Sequence, residues 1–253
     1  MRPRAIGALV CAMVVVPTGA GAICGRAPPV HVWPHGKTAP TNARIAMTMP
    51  KDFRAGSALS LRTAPVRGAP SRTTIATRNR TWITSDFERA ELVPSSALAP
   101  RTAYEVWTAR GEILGVFTTG DGTDITPPSW VGVKAVRFYR TAPRPGIVTL
   151  SMECGSPRLV LDSDTPASDD QTAASDILYA LWAEPLGTKL DYTKPPRSIV
   201  VAGPAFGRGF TLYFGNDSYD DDIDLPRANV LTIGVRAIDL AGNASAPSEL
   251  TAR

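Results

Sequence analysis

Along most of this chain, hydrophobic and polar residues alternate in short runs. Between residues 102 and 108, Tyr104, Val106 and Thr108 fall on one face, with Glu105 and Trp107 on the other. That is the two-residue period of a half-buried strand. The same alternation recurs at Ile45, Met47 and Met49, at Phe210, Leu212 and Phe214, and at Leu231, Ile233, Val235 and Ala237. Ile177, Tyr179 and Leu181 share a face, with Trp182 opposite; Val131, Val133 and Ala135 alternate ahead of Phe138; residues 147–152 form an apolar, β-prone run. In the first half the pattern predicts strands at 30–33, 44–49, 59–62, 73–77, 81–84, 88–93, 103–108 and 113–118. Turn residues separate nearly all of them, and no window holds a helical period of useful length. An all-β chain built from sandwiches is expected.

The alternation stops at Asp124-Ile-Thr-Pro127-Pro128. Two prolines fix φ, remove two donors and favour extended backbone before them, so this segment cannot continue a central strand. It reads as a stiff connector. The expected layout is 1–22 as a leader, 23–29 as a lead-in, 30–122 as one sandwich, 123–128 as the connector and 129–253 as a second sandwich. The 253 residues suffice for two such domains.

Leu98, Pro100, Thr102 and Tyr104 stand at every second position. Their spacing resembles the tyrosine corner of immunoglobulin-like and fibronectin-type sandwiches, in which a Tyr hydroxyl bonds to backbone a few residues upstream. The alternative is a plain hairpin with a core Tyr. The Tyr104 strand, Phe117-Thr-Thr-Gly120 and the Asp-x-Thr-Pro-Pro segment occur in the order seen in bacterial Ig-like domains of the surface-layer (SbsA-like) type. Pro34-His-Gly36 and the run from Pro40 to Ile45 resemble the start of such a module. This resemblance covers about residues 28–128. It implies two tandem immunoglobulin-like domains and says almost nothing about activity. Asp239-Leu-Ala-Gly242-Asn243 before Ser245-Ala-Pro-Ser248 resembles the last hairpin of fibronectin type III-like modules, and Ser168-Asp-Asp170 leading to Tyr179 resembles an inner strand of the same modules. The position equivalent to the corner Tyr holds Leu231.

The N-terminus changes the picture. Arg2 and Arg4 precede an apolar run over residues 5–16; Pro17 breaks it, and Ala20-Gly-Ala22 supplies small residues for cleavage. This is the pattern of a secretory signal peptide, and a mature start at Ile23 is expected. Cleavage lowers the formal net charge from +4 to +2. Arg62, Arg67, Arg72, Arg78 and Arg80 are interleaved with Thr, Ser and Pro, the pattern of a solvated strand surface, so no nucleic-acid partner is expected. The mature chain holds no second apolar segment of spanning length. Cys11 leaves with the leader, and Cys24 and Cys154 form an even pair in an oxidising compartment, so a disulfide between them is expected. The competing reading is a lipid-modified Cys24, against which stands the bulky Ile23 before it.

Catalytic constellations fare poorly. The two histidines, His31 and His35, flank Trp33 and Pro34 in an opening strand. A nucleophilic triad needs a His held by a third group, and no Gly-x-Ser-x-Gly elbow is present. Gly36-Lys37-Thr38 resembles the tail of a phosphate loop, but the required earlier Gly is His31. A carboxylate pair for glycoside hydrolysis stays open because nothing singles one out. Asp217, Asp220, Asp221, Asp222 and Asp224 crowd one loop. They are either solvated or ligands for Ca²⁺, at a spacing that matches no EF-hand. No other cofactor is expected. Trp107 and Trp182 either pack under loops or offer faces for stacking. Segments 162–175, 183–197 and 215–229 are long enough to read as binding loops. The expected function is that of an exported, non-enzymatic module at the cell envelope or outside it, structural or binding. The alternatives are a recognition module for polysaccharide or a surface protein through the second domain's loops, and a carboxylate-pair hydrolase.

Overall fold

The computed structural model describes residues 30–34, 38–50, 59–65, 72–83, 87–139, 158–201, 210–214 and 225–253. Among these the chain is all-β, relieved only by a 3₁₀ turn at Ala174–Asp176. It forms two tandem immunoglobulin-like β-sandwiches.

The first sandwich faces two sheets. One comprises β1 (His31–Trp33), β3 (Ile45–Pro50), β7 (Phe87–Pro94) and β6 (Thr77–Ile83), in the order β1-β3-β7-β6 and antiparallel throughout. The other orders β2 (Thr38–Ala39), β9 (Ile113–Thr119), β8 (Ala103–Trp107), β4 (Ser60–Thr63) and β5 (Thr74–Ile75). Among the described residues only β2 and β9 pair in parallel. Inward residues of both sheets form one core: Val32, Ile45, Met47 and Leu92 from one, Leu61, Tyr104, Val106 and Phe117 from the other. Alternation survives because each inward residue loses its water while its neighbour keeps some, and a register slip of one residue would exchange the faces. The segment expected as 81–84 belongs to a longer strand that begins at Thr77.

The second sandwich sets β10 (Ala135–Tyr139), β11 (Arg158–Ser163) and β14 (Phe210–Phe214) against β13 (Ser198–Val201), β12 (Leu178–Pro185), β15 (Leu231–Ile238) and β16 (Ser248–Ala252). Its core gathers Leu159, Leu161, Tyr179, Leu181, Phe210, Phe214, Ile233 and Val235. Strand β12 is buried on both faces from Leu178 to Ala183. Trp182, Leu190 and Tyr192 cover its outer side, with the rings of Trp182 and Tyr192 edge-on at 5.1 Å.

Two segments expected as loops are partly strand. Asp162 and Ser163 end β11, and residues 183–185 end β12. The chain beyond β12 is pinned to it: the Trp182 indole donates to the Lys194 carbonyl at 2.9 Å.

Candidate functional site: the junction between the sandwiches

Three short stretches meet at the connector: 40–44 before β3, 168–172 after β11, and 239–243 between β15 and β16. Each is a turn for a local reason. Pro40 opens the first, and the Ala43 amide closes back on its carbonyl at 3.0 Å. In the second, the Asp169 Oδ1 accepts from the Gln171 and Thr172 amides at 2.9 and 2.7 Å. In the third, Asp239 Oδ1 accepts from the Asn243 amide at 2.8 Å, and Gly242 takes φ +88°, a conformation that side chains with a Cβ resist.

The connector is bonded to both sandwiches. Asn42 grips Asp124 at two points: its Nδ2 donates to the Asp124 carbonyl at 2.8 Å, and its Oδ1 accepts from the Asp124 amide at 2.9 Å. From the other side the Asn243 Nδ2 donates to that same carbonyl at 3.2 Å. Gln171 Nε2 donates to the Thr123 carbonyl at 3.0 Å. Ser129 and Ser168 exchange backbone bonds at 2.9 and 3.0 Å. The sandwiches also touch directly. The Arg44 amide donates to the Leu240 carbonyl at 2.6 Å, and the Leu240 side chain sits in the core of the first sandwich. Burying a Leu side chain supplies about 1.5–3 kcal/mol, so this one residue is a substantial anchor.

The junction is acidic at its centre. Asp124, Asp169 and Asp170 each bring a carboxylate oxygen to within 4.8 Å of the others'. Asp124 is wholly buried. Its carboxylate accepts from the Thr126 amide through Oδ1, at 3.0 Å, while Oδ2 has no hydrogen-bond partner. Asp169 shows the same division, with Oδ1 holding its turn and Oδ2 buried without a partner. Burial pushes the Asp124 carboxyl above its ordinary range; the Thr126 amide opposes this and the charges of Asp169 and Asp170 add to it. Asp239, buried nearby, is pushed up to about 6, first by burial; the bonds from Asn243 oppose this, and Asp124 and Asp169 add to it. Among the described residues no ion pair reaches any of these four acids. Such a set of hard oxygen donors suits a hard cation and offers a soft metal nothing.

None of the site residues singled out from sequence is among the described residues of this junction. Asp217, Asp220, Asp221, Asp222 and Asp224, both cysteines of the expected disulfide (Cys24 and Cys154), His35 and the 1–22 leader fall outside the described residues. Tyr104 lies in the first core, and its hydroxyl accepts from the Ala99 amide at 2.8 Å. The second sandwich has a bond of related kind where none was expected: the Tyr179 hydroxyl accepts from the Ala167 amide at 2.8 Å, while Leu231 is core. The Arg62 and Arg72 guanidiniums lie over the Trp107 ring, 5.1 and 4.7 Å from its centre, and its indole donates to Glu105. His31 stacks on Trp33 at 5.7 Å. The junction carboxylates were not among the expected site residues. The legible signals were the connector at 124–128 and the hairpin turn at 239–243.

No family model matches the chain, and no curated protein matches it. Among solved structures, a pullulanase from Anoxybacillus sp. LM18-11 complexed with maltotriose is similar at 11% identity over 85% of this chain and 24% of that one, with a TM-score of 0.26. The tandem Ig repeats of Dlar are similar at 10% identity over 90% and 99%, with a TM-score of 0.27. The FN1–FN3 domains of chicken CNTN1 are similar at 13% identity over 88% and 65%, with a TM-score of 0.23. The chain spans about a quarter of the length of the pullulanase it matches. Likenesses at these TM-scores carry no argument about activity or partner.

Proposed function

We propose that this chain is an exported, non-enzymatic module of two immunoglobulin-like sandwiches, serving a structural or binding role at the bacterial cell envelope or outside it. The observation that carries the reading is the junction. A connector bonded on both sides, and a Leu240 anchor in the other sandwich's core, hold the two domains in one orientation. A fixed orientation is what a spacer or a presenting scaffold needs. The surface-layer-type assignment of the first sandwich belongs to this reading; the Tyr104 bond to the Ala99 amide supports it. The leader pattern of residues 1–22 supports export.

The test is fractionation of the natural host with a C-terminally tagged chain, followed by pull-down on isolated envelope and cell-wall polysaccharide. Recovery from envelope or medium, with retention on an envelope protein or polysaccharide and no turnover of the polymer, is expected. Recovery from the cytosol removes the exported role. Release of soluble sugars from the polymer removes the non-enzymatic one.

A further inference from the structure

We propose that Asp124, Asp169 and Asp170 form a binding site for Ca²⁺, or a cation of the same hard, oxygen-seeking class, that locks the connector between the two sandwiches. The inference rests on the reading of the chain as a module of fixed orientation and names what holds that orientation.

Three observations converge. The first is geometric: the three carboxylates bring one oxygen each to within 4.8 Å of one another. Oxygens that share a Ca²⁺ at 2.3–2.6 Å lie at most about 5 Å apart. The second is the unmet demand of a buried group. Asp124 is 0% exposed, its Oδ2 receives no donor, and its side-chain neighbour is the like-charged Asp169. A buried carboxylate oxygen left bare is costly unless a proton or a cation satisfies it. The third is preorganisation. Backbone amides of Thr126 on one side, and of Gln171 and Thr172 on the other, hold the Oδ1 atoms of Asp124 and Asp169. Each carboxylate therefore keeps its second oxygen for something else. Exposed Asp170 opens the site to solvent and gives an ion its way in.

Position gives the site its consequence. Asp124 belongs to the connector, whose carbonyl is gripped from the first sandwich by Asn42. Asp169 and Asp170 belong to the second sandwich's turn, which meets the connector through Gln171. One ion bound by all three would tie connector to domain where the hydrogen bonds already converge. It would also offset the mutual repulsion of three carboxylates held this close.

The test uses the full exported chain, stripped of metal with a chelator and titrated with CaCl₂ by calorimetry and thermal melting. One site with a dissociation constant on the order of 10⁻⁵ to 10⁻³ M is expected, together with a melting temperature that rises with calcium. Asp124→Asn risks misfolding, so the deciding variants are Asp169→Asn and Asp170→Asn. Asparagine keeps an acceptor for the 169–172 turn. Each should weaken calcium binding at least tenfold without lowering the metal-free melting temperature by more than a degree or two. A control replaces Asp217, Asp220, Asp221, Asp222 and Asp224 with Asn and should keep the junction affinity. Absence of calcium binding, undiminished affinity in both single variants, or loss confined to the control would each overturn the inference. None of those results touches the fractionation and turnover that test the module reading.

Discussion

Two tyrosines show how much a single hydroxyl carries. Tyr104 and Tyr179 each bury an aromatic ring in a core and spend the hydroxyl on a backbone amide, of Ala99 and Ala167 respectively. Tyr104→Phe keeps the ring and orphans the Ala99 amide. It should cost about 1 kcal/mol, or up to about 3 if the amide stays dry. Denaturant unfolding checks this: an unchanged midpoint at unchanged slope removes the bond's role. Tyr179 adds a dependence on pH. Burial pushes its hydroxyl from 10.0 to about 12, with the Ala167 bond opposing the rise. The unfolded chain therefore gives up this proton first. Stability from Tyr179 is intact below pH 10 and falls between about pH 10 and 12, where the folded state holds more protons. Midpoints measured across that window should drop in the native chain and drop less in Tyr179→Phe. Equal slopes in both would sink the assignment.

At the scale of elements, strands with an alternating apolar face were legible, and β12 was read from Ile177, Tyr179 and Leu181 although both its faces are buried. Phe210, Leu212 and Phe214 alternate because their partners Thr211 and Tyr213 face outward, and the strand lies where the period placed it. Leu159, Val160 and Leu161 are all buried, so β11 shows no period and its end reads as part of a loop. Two-residue β2 is too short to have one; only its parallel pairing with β9 makes it a strand. The junction was half visible. Asp124 before Thr-Pro-Pro read as a stiff connector and Asp239 before Gly242-Asn243 as a tight turn, and that turn is there. That Asp124 meets Asp169 across 45 residues depends on how the sandwiches dock, which no local pattern encodes. The turn between β15 and β16 also carries the element-scale prediction. Leu240 leaves its own domain to enter the other's core. Leu240→Ala should cost about 2–5 kcal/mol, as large-to-small core changes do. It should also split a single unfolding transition into two, one per sandwich. A loss under about 0.5 kcal/mol with one transition retained would show that Leu240 is no anchor.

For the whole molecule, the question is what keeps two sandwiches from swinging on a connector of a few residues. One expected tie is covalent. A Cys24–Cys154 bridge would close a loop around the first sandwich and add up to about 5 kcal/mol by the loop-entropy account. Mass mapping under non-reducing conditions should find the linked peptide in the exported chain, and two free thiols would end that expectation. The other tie is the Asp124 carbonyl. It accepts from Asn42 of the first sandwich and from Asn243 of the second, at 2.8 and 3.2 Å. These two donors share one acceptor, so losing either leaves the carbonyl satisfied, and losing both leaves it bare in a partly buried place. Asn42→Ala alone also frees the Asp124 amide, and Asn243→Ala alone also frees an oxygen of Asp239. Each single change should therefore cost about 1 kcal/mol. The double variant should cost more than the two added together, by about 0.5–3 kcal/mol, because only it orphans the shared carbonyl. The same variant should broaden the distribution of interdomain distances in small-angle scattering while the circular dichroism of the sheets stays as it was. Additivity within about 0.3 kcal/mol and an unchanged scattering profile would mean that this carbonyl does not couple the domains.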